Sequence, residues 1–200
     1  MADKYQSFSE LAGKELEGRD YCIRVQDRAS DTVVIAIHGG GIEPGTSEIA
    51  EAIAGEELSF YTFEGIRTEG NRDLHITSHR FDEPQCIALV SASLRVISIH
   101  GEDTQSPVVF LGGKDIDNLL ALRELLTARG FISQKHKDPN LQGLDHKNIC
   151  NRARNGCGLQ LELSNGLRRS FFKSISSSGR RTRTKRFGLF VTTVREVLHL

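Results

Sequence analysis

The chain has 200 residues, 38% hydrophobic and 26% charged, and its 26 basic and 26 acidic side chains cancel to a formal net charge of zero. A chain of this size is expected to form one domain over residues 1–200 and to bury its own core. A membrane span is excluded, because no apolar run approaches the roughly 18 residues a bilayer needs; Cys22, Cys86, Cys150 and Cys157 form no CxxC pair, which argues against a structural zinc finger, and a chain of this size whose polar, acid-bearing N-terminus reads as no signal or transit peptide is not expected to carry a disulfide framework.

Residues 1–18 read as helical or frayed. YCIRVQ (21–26) alternates like a strand, and the β-branched run DTVVIAI (31–37) reads as a strand buried on both faces. It runs into HGGGIEPGTSEIA, where glycines and Pro44 demand a tight loop before a helix that Thr46 or Ser47 caps and Gly55 ends. LSFYTFEG (58–65) is a second buried strand, and LHITS (74–78) a short one. FDEPQCIALVSAS (81–93) reads as a helix capped by Asp82. RVISI (95–99) is a third buried strand and PVVFLGG (107–113) a fourth. DIDNLLALRELLTARG (115–130) is the clearest helix, with leucines at helical spacing and Gly130 as its stop. FISQK (131–135) is a candidate strand. In GLQLELS (158–164), Leu159, Leu161 and Leu163 share one face, and Gln160, Glu162 and Ser164 the other. SSSGRRTRTKR reads as an exposed loop, and TTVREVLHL as a last helix or strand. Strands alternating with helices predict an α/β fold: a single open, twisted, mostly parallel but mixed sheet with helices on both faces.

Ligands of open α/β sheets sit at the carboxyl ends of the strands. Two buried strands here end in a His-Gly step, at His38 and at His100, and each delivers an imidazole to that edge. Glu43 follows His38 across a glycine loop able to fold back on itself. Two imidazoles and one carboxylate form a ligand set for a catalytic Zn²⁺, with a fourth position left for water. Amide hydrolysis also needs a base that is not a ligand. Glu162 is the candidate, because a mid-strand carboxylate opposite three leucines needs a purpose or a partner.

The blocks HGGGIEPGTSE, LHITSHRFDEP, SIHGED, NICNR and GLQLELSNGLRRSFF, in this order over roughly residues 20–175, resemble the poly-γ-glutamate hydrolase family of bacilli and their phages. That resemblance implies a zinc carboxypeptidase-like fold and cleavage of the γ-linked glutamyl polymer. It places the zinc ligands on His38, Glu43 and His100 and the catalytic glutamate on Glu162, the residues already selected. The carboxypeptidase-like relatives grip a substrate carboxylate with an Asn-Arg pair. Two pairs compete here, Asn71-Arg72 and Asn151-Arg152, and the second is favoured because it lies in a family-like block shortly before Glu162. Arg offers the planar fork a carboxylate fits. His75 is expected as a substrate-contacting rim beside Asn71, and Arg169 as a further substrate contact. Two rival readings use the same residues: a zinc amidohydrolase or carboxypeptidase acting on N-acyl amino acids or short peptides, and a non-catalytic polyanion-binding protein.

Charge is unevenly spread. No acid occurs between Glu162 and Glu196, a stretch holding nine bases, while 17 bases face all 26 acids elsewhere. Such asymmetry points to a surface that meets an anion. The expected partner is the polyanionic substrate; membrane is excluded and nucleic acid disfavoured, since no groove-reading motif is present. The run 180–186 is read first as a solvated loop and second as a landing strip for a polyanion. The protein is expected to be monomeric, and to act in the cytoplasm or, after lysis, outside the cell.

Overall fold

A computed structural model describes residues 3–198. Seven strands form one sheet in the order β1 (Tyr21–Gln26), β3 (Ser59–Gly65), β2 (Thr32–Gly40), β4 (Arg95–Glu102), β7 (Leu159–Ser164), β5 (Val108–Gly113), β6 (Ile132–Gln134). The four central strands β3, β2, β4 and β7 run parallel. β1 is antiparallel to β3, and β5 is antiparallel to β7. The sheet is therefore mixed, as anticipated, and its parallel centre puts the carboxyl ends of β2, β4 and β7 side by side.

Every residue of β2 is buried, as its unbroken apolar run requires of a central strand covered on both faces. One face carries Val34, Ala36, Ile97 and the three β7 leucines against α2 (Thr46–Ala54), α4 (Ile116–Ala128), α5 (Asn165–Phe171) and α6 (Lys185–Val197). The other packs Val33, Ile35, Ile37, Tyr61 and Phe63 under α1 (Phe8–Ala12), α3 (Pro84–Ala92) and irregular segments. A fully buried side chain of this size contributes about 1.5–3 kcal/mol, so these two cores supply the larger part of what stabilises the sheet. Among the described residues, no helix is long and apolar enough to cross a membrane, and all four cysteines are free thiols.

Several local expectations are corrected. Residues 74–78 are no strand: a 3₁₀ turn, Asn71–Leu74, ends on the first of them, and His75 leaves it in extended conformation. Helix α3 starts at Pro84 and its cap is Glu83, whose carboxylate accepts from the Gln85 and Cys86 amides; Asp82 instead accepts from the Phe8 amide at 2.6 Å. The block after β7 is helical (α5), started by Ser164, whose hydroxyl accepts from the Leu167 amide. Arginines and serines masked the apolar pair Leu167 and Phe171, which bury one side of this short helix. The last helix begins at Lys185, capped by Thr184, so part of the expected basic loop is its first turn.

Candidate active site at the carboxyl edge of the sheet

A cleft of about 710 Å³ opens where β2, β4 and β7 end. His38, Glu43, His75, His100 and Glu162 all line it. The loop that carries Glu43 returns to its own strand: the Glu43 amide donates to the His38 carbonyl at 2.9 Å, and the Thr46 hydroxyl donates to the same carbonyl. Gly40 makes the reversal possible, with φ at +63°, a conformation in which a Cβ is strained. Glu43 then crosses to β4, where its Oε2 accepts from the Gly101 amide at 2.7 Å.

These contacts gather three groups. His38 Nδ1 lies 3.1 Å from His100 Nδ1 and 3.2 Å from Glu43 Oε1, and His100 Nδ1 is 4.0 Å from Glu43 Oε2. The far nitrogen of each ring is engaged. His38 Nε2 faces the Ile76 carbonyl at 2.9 Å, and His100 Nε2 faces the Ser98 hydroxyl at 2.8 Å. A carbonyl can only accept, so Nε2 of His38 carries the hydrogen and the lone pair of a neutral ring points from Nδ1 at the other two groups. A lone pair aimed at a carboxylate calls for a proton or a cation between them. Burial disfavours charge on His38, but the Glu43 carboxylate outweighs it and raises the affinity for a proton. Burial would raise Glu43, yet His38 and the other imidazoles bring it down to about 2. Burial, then the charge on His38, lowers His100 to about 3.

The donor set fits zinc. Tetrahedral bonds of ~2.0–2.1 Å place neighbouring ligand atoms about 3.3 Å apart, close to two of the three separations, and each ring's second nitrogen is held in the outer-sphere manner typical of metal-binding imidazoles. His75 supplies a third imidazole. Its Nδ1 donates to Asp3 at 2.7 Å, and its Nε2 lies 4.0 Å from Glu43 Oε1. The charge on His38, then burial, lowers it to about 4. Donor atoms of His38, Glu43 and His75 lie within 4.8 Å of one another, which makes a second triad. The ring planes separate the two triads. His75 stacks on His38 with centroids 3.9 Å apart and planes only 28° apart, whereas His100 meets His38 at 66°. Lone pairs of nearly parallel stacked rings lie in separate planes and share one ion poorly, a restriction that crossed rings do not carry.

Glu162 stands beside this group because its backbone pairs with His100 across β4 and β7. Burial, then the Glu43 carboxylate, raises its proton affinity well above that of an ordinary carboxyl. Its orientation comes from a directed chain of amides. The Cys150 amide donates to Asn148 Oδ1 at 3.1 Å, Asn148 Nδ2 donates to Gln160 Oε1 at 2.7 Å, and Gln160 Nε2 donates to Glu162 Oε1 at 2.8 Å. Arg168, 2% exposed, ties the strand ends together: it donates to the carbonyls of Leu163, Pro44 and Glu102 at 3.0, 2.7 and 3.1 Å. Gly101 leaves room for it, since a Cβ there would lie 2.7 Å from the guanidinium carbon.

The other candidate substrate residues are placed differently. Asn151 donates to the Gly143 and Asp145 carbonyls and accepts from the Gly158 amide. Arg152 donates to the carbonyls of Lys147, Phe81 and His79 and does not line the cleft. Asn71 closes a turn on the backbone of Arg67. Arg169 is exposed and outside the cleft. Arg72 does line it, held by Asp103 at 2.6 Å, and both side chains are more than half exposed. His75 sits at the centre rather than at a rim. Gln160, Arg168 and Asp3 escaped the sequence reading. Only Gln160 left a trace there, as the neighbour of Glu162 on one face of β7.

With this geometry established, comparison with known proteins is direct. A family model described as poly-gamma-glutamate hydrolase matches residues 5–193. UPF0714 protein YndL of Bacillus subtilis strain 168 is 38% identical over 187 residues, covering 92% of this chain and 73% of YndL. The solved structure of a bacteriophage poly-gamma-glutamate hydrolase superposes with a TM-score of 0.95 at 30% identity, covering 99% of this chain and 97% of that one. A zinc-free apo form of YndL gives 0.94 at 37% identity, covering 99% and 98%.

Proposed function

Because the chain belongs to the poly-γ-glutamate hydrolase family, we propose that it cleaves γ-glutamyl amide bonds with Zn²⁺ held by His38, Glu43 and His100 and with Glu162 as general base. The observation that carries this reading is the approach of His38 Nδ1 to His100 Nδ1 and to Glu43 at 3.1 and 3.2 Å, the spacing of ligands around one ion. The zinc-free YndL structure supports the choice of metal. The crossed rings favour His100 over His75 as the third ligand, leaving His75 to contact substrate.

Zinc, when bound, supplies a Lewis acid that makes a water easier to deprotonate and a carbonyl easier to attack. Glu162 accepts the proton as the water oxygen bonds to the scissile carbonyl carbon. It then returns that proton to the amide nitrogen as the C–N bond breaks, releasing a carboxylic acid and an amine. Burial strengthens Glu162 as a proton acceptor, and a cation held by the neighbouring ligands would keep it ionised at rest. Gln160 holds Oε1 of Glu162, so Oε2 is the oxygen assigned to the proton transfer. Arg72, the arginine of the cleft, is the candidate grip for a glutamyl carboxylate, in preference to Arg152, whose donors are engaged by backbone carbonyls.

The test combines zinc stoichiometry of the purified protein with chain-length loss of poly-γ-glutamate, with and without chelator. Chelation is expected to abolish cleavage and zinc to restore it. Glu162→Gln is expected to keep its zinc and lose roughly 10²–10⁴ in kcat. Full activity after complete metal removal, or in the Gln variant, would sink the reading.

A further inference from the structure

Beyond the proposed zinc position and Arg72, the cleft walls offer a polyanion little: they carry Glu102, Asp103 and Asp145, and Asp103 pairs with Arg72. The whole chain is neutral, so no net field draws a polyanion in. The attraction has to be local, and one segment offers it.

Helix α5 lies across the carboxyl edge of the sheet. The Gly166 amide donates to the Thr104 carbonyl at 3.1 Å, and Arg168 reaches the Pro44 carbonyl, one residue beyond Glu43. The chain then turns at Phe172, which abuts Gly45 in the same loop, and forms a short hairpin: Phe172 bridges Arg183, and the Lys173 amide donates to the Thr182 carbonyl at 2.9 Å. The hairpin is anchored, since Arg180 pairs with Glu48 of α2 at 2.6 Å and donates to the Ile175 carbonyl at 2.8 Å. Of the nine bases between Glu162 and Glu196, Arg168, Arg180 and Arg195 are engaged internally. The others, Arg169, Lys173, Arg181, Arg183, Lys185 and Arg186, have no acidic partner among the described residues, and all but Arg186 are exposed. Lys173, Arg181 and Arg183 belong to the hairpin, Arg169 to α5 and Lys185 and Arg186 to the first turn of α6; cations on consecutive elements with no acid among them raise the local potential.

We infer that this α5–hairpin surface is an exosite for the substrate polymer, binding a stretch of poly-γ-glutamate carboxylates beyond the residues in the cleft. The inference rests on the proposed substrate class. It adds that chain length, and not only the bond cleaved, is recognised. A chain bearing one carboxylate per residue suits a surface of exposed cations, which begins beside the loop that bears Glu43. Because the cations are exposed, the attraction is screened by salt. A short γ-glutamyl oligomer that fills only the cleft gains nothing from it.

The test is the triple reversal Lys173→Glu, Arg181→Glu, Arg183→Glu in the zinc-loaded protein, assayed on long poly-γ-glutamate and on a γ-glutamyl oligomer of a few residues. Expected is a loss of roughly tenfold or more in kcat/KM on the polymer at low ionic strength. That loss should vanish in about 0.5 M salt, where the screening length is only several ångströms, with oligomer cleavage unchanged within about twofold. Should the triple variant misfold, Arg169→Glu with Lys185→Glu provides the same comparison. Equal losses on polymer and oligomer, or no loss on the polymer at low salt, would overturn the exosite. So would wild-type protein that binds duplex DNA through this surface and gains nothing on the polymer. A wild-type protein that cuts neither substrate would instead refute the proposed function, which keeps the two failures apart.

Discussion

Gln160→Leu removes the residue that aims Glu162 while keeping a side chain of similar size. In the native protein Gln160 is 2% exposed and donates to Glu162 Oε1 at 2.8 Å. A hydrogen bond to a charged group is worth about 1.5–3 kcal/mol. If Glu162 must hold one orientation while it accepts and returns a proton, most of that energy is expressed in the transition state. At about 1.4 kcal/mol per decade, kcat falls roughly 10- to 100-fold. Stability also drops, because Asn148 Nδ2 loses its acceptor at 2.7 Å. A buried donor left unsatisfied costs about 1–3 kcal/mol, a Tm loss of roughly 3–10 °C for a chain of this length. The assay is steady-state kinetics on γ-glutamyl substrate at a temperature well below the melt, with zinc content and Tm measured on the same preparation. Zinc stoichiometry and KM are expected to stay near wild type. In a Glu162→Gln background the same substitution is expected to change residual activity little, since its effect passes through the missing carboxylate. A variant whose Tm falls while kcat stays within twofold of wild type would refute the positioning role, and Gln160 would then be a structural brace only.

Arg168→Leu is expected to strip two strand-end carbonyls and the Pro44 loop carbonyl of their donor and lower Tm by about 10 °C, with Arg168→Lys recovering less than half, because one ammonium cannot reproduce three donors fanned from a plane; an unchanged melt would contradict the tie. Arg72→Ala is expected to raise KM roughly 10-fold with little change in Tm, whereas Arg152→Ala lowers Tm and leaves KM alone; the reverse pattern would return the carboxylate grip to Arg152. The Asp20 carboxyl is held well below its ordinary range by Arg19, the Leu16 amide and Arg67. A depressed carboxyl stabilises the fold above the unfolded-state pKa near 4 and loses that contribution as pH falls. The Tm gap between wild type and Asp20→Asn should therefore be full above about pH 5 and close progressively below pH 4; a gap independent of pH would refute the assignment.

Local pattern determined much of this protein. Short runs rich in β-branched residues and bounded by glycine favour strands covered on both faces, so β2 and β4 were legible, and with them the two imidazoles near their carboxyl ends. Alternation along β7 separated three core leucines from Gln160 and Glu162. Glycine after His38 announced a reversal, because few other residues accept positive φ. What the pattern could not carry was contact between segments distant in sequence. His75 lies in a stretch without period, and its ring is held at the centre by Asp3, 72 residues away, and by stacking on His38. Arg152 and Arg72 look alike as letters; neighbouring carbonyls engage the first, while a shared exposed position with Asp103 leaves the second in the cleft. Arg168 reads as one more base in an acid-free run until the fold brings three carbonyl groups around it. Secondary structure follows from the spacing of apolar side chains along a chain. A site depends on directed polar contacts of a few ångströms, and only the closed tertiary structure decides which donors meet which acceptors.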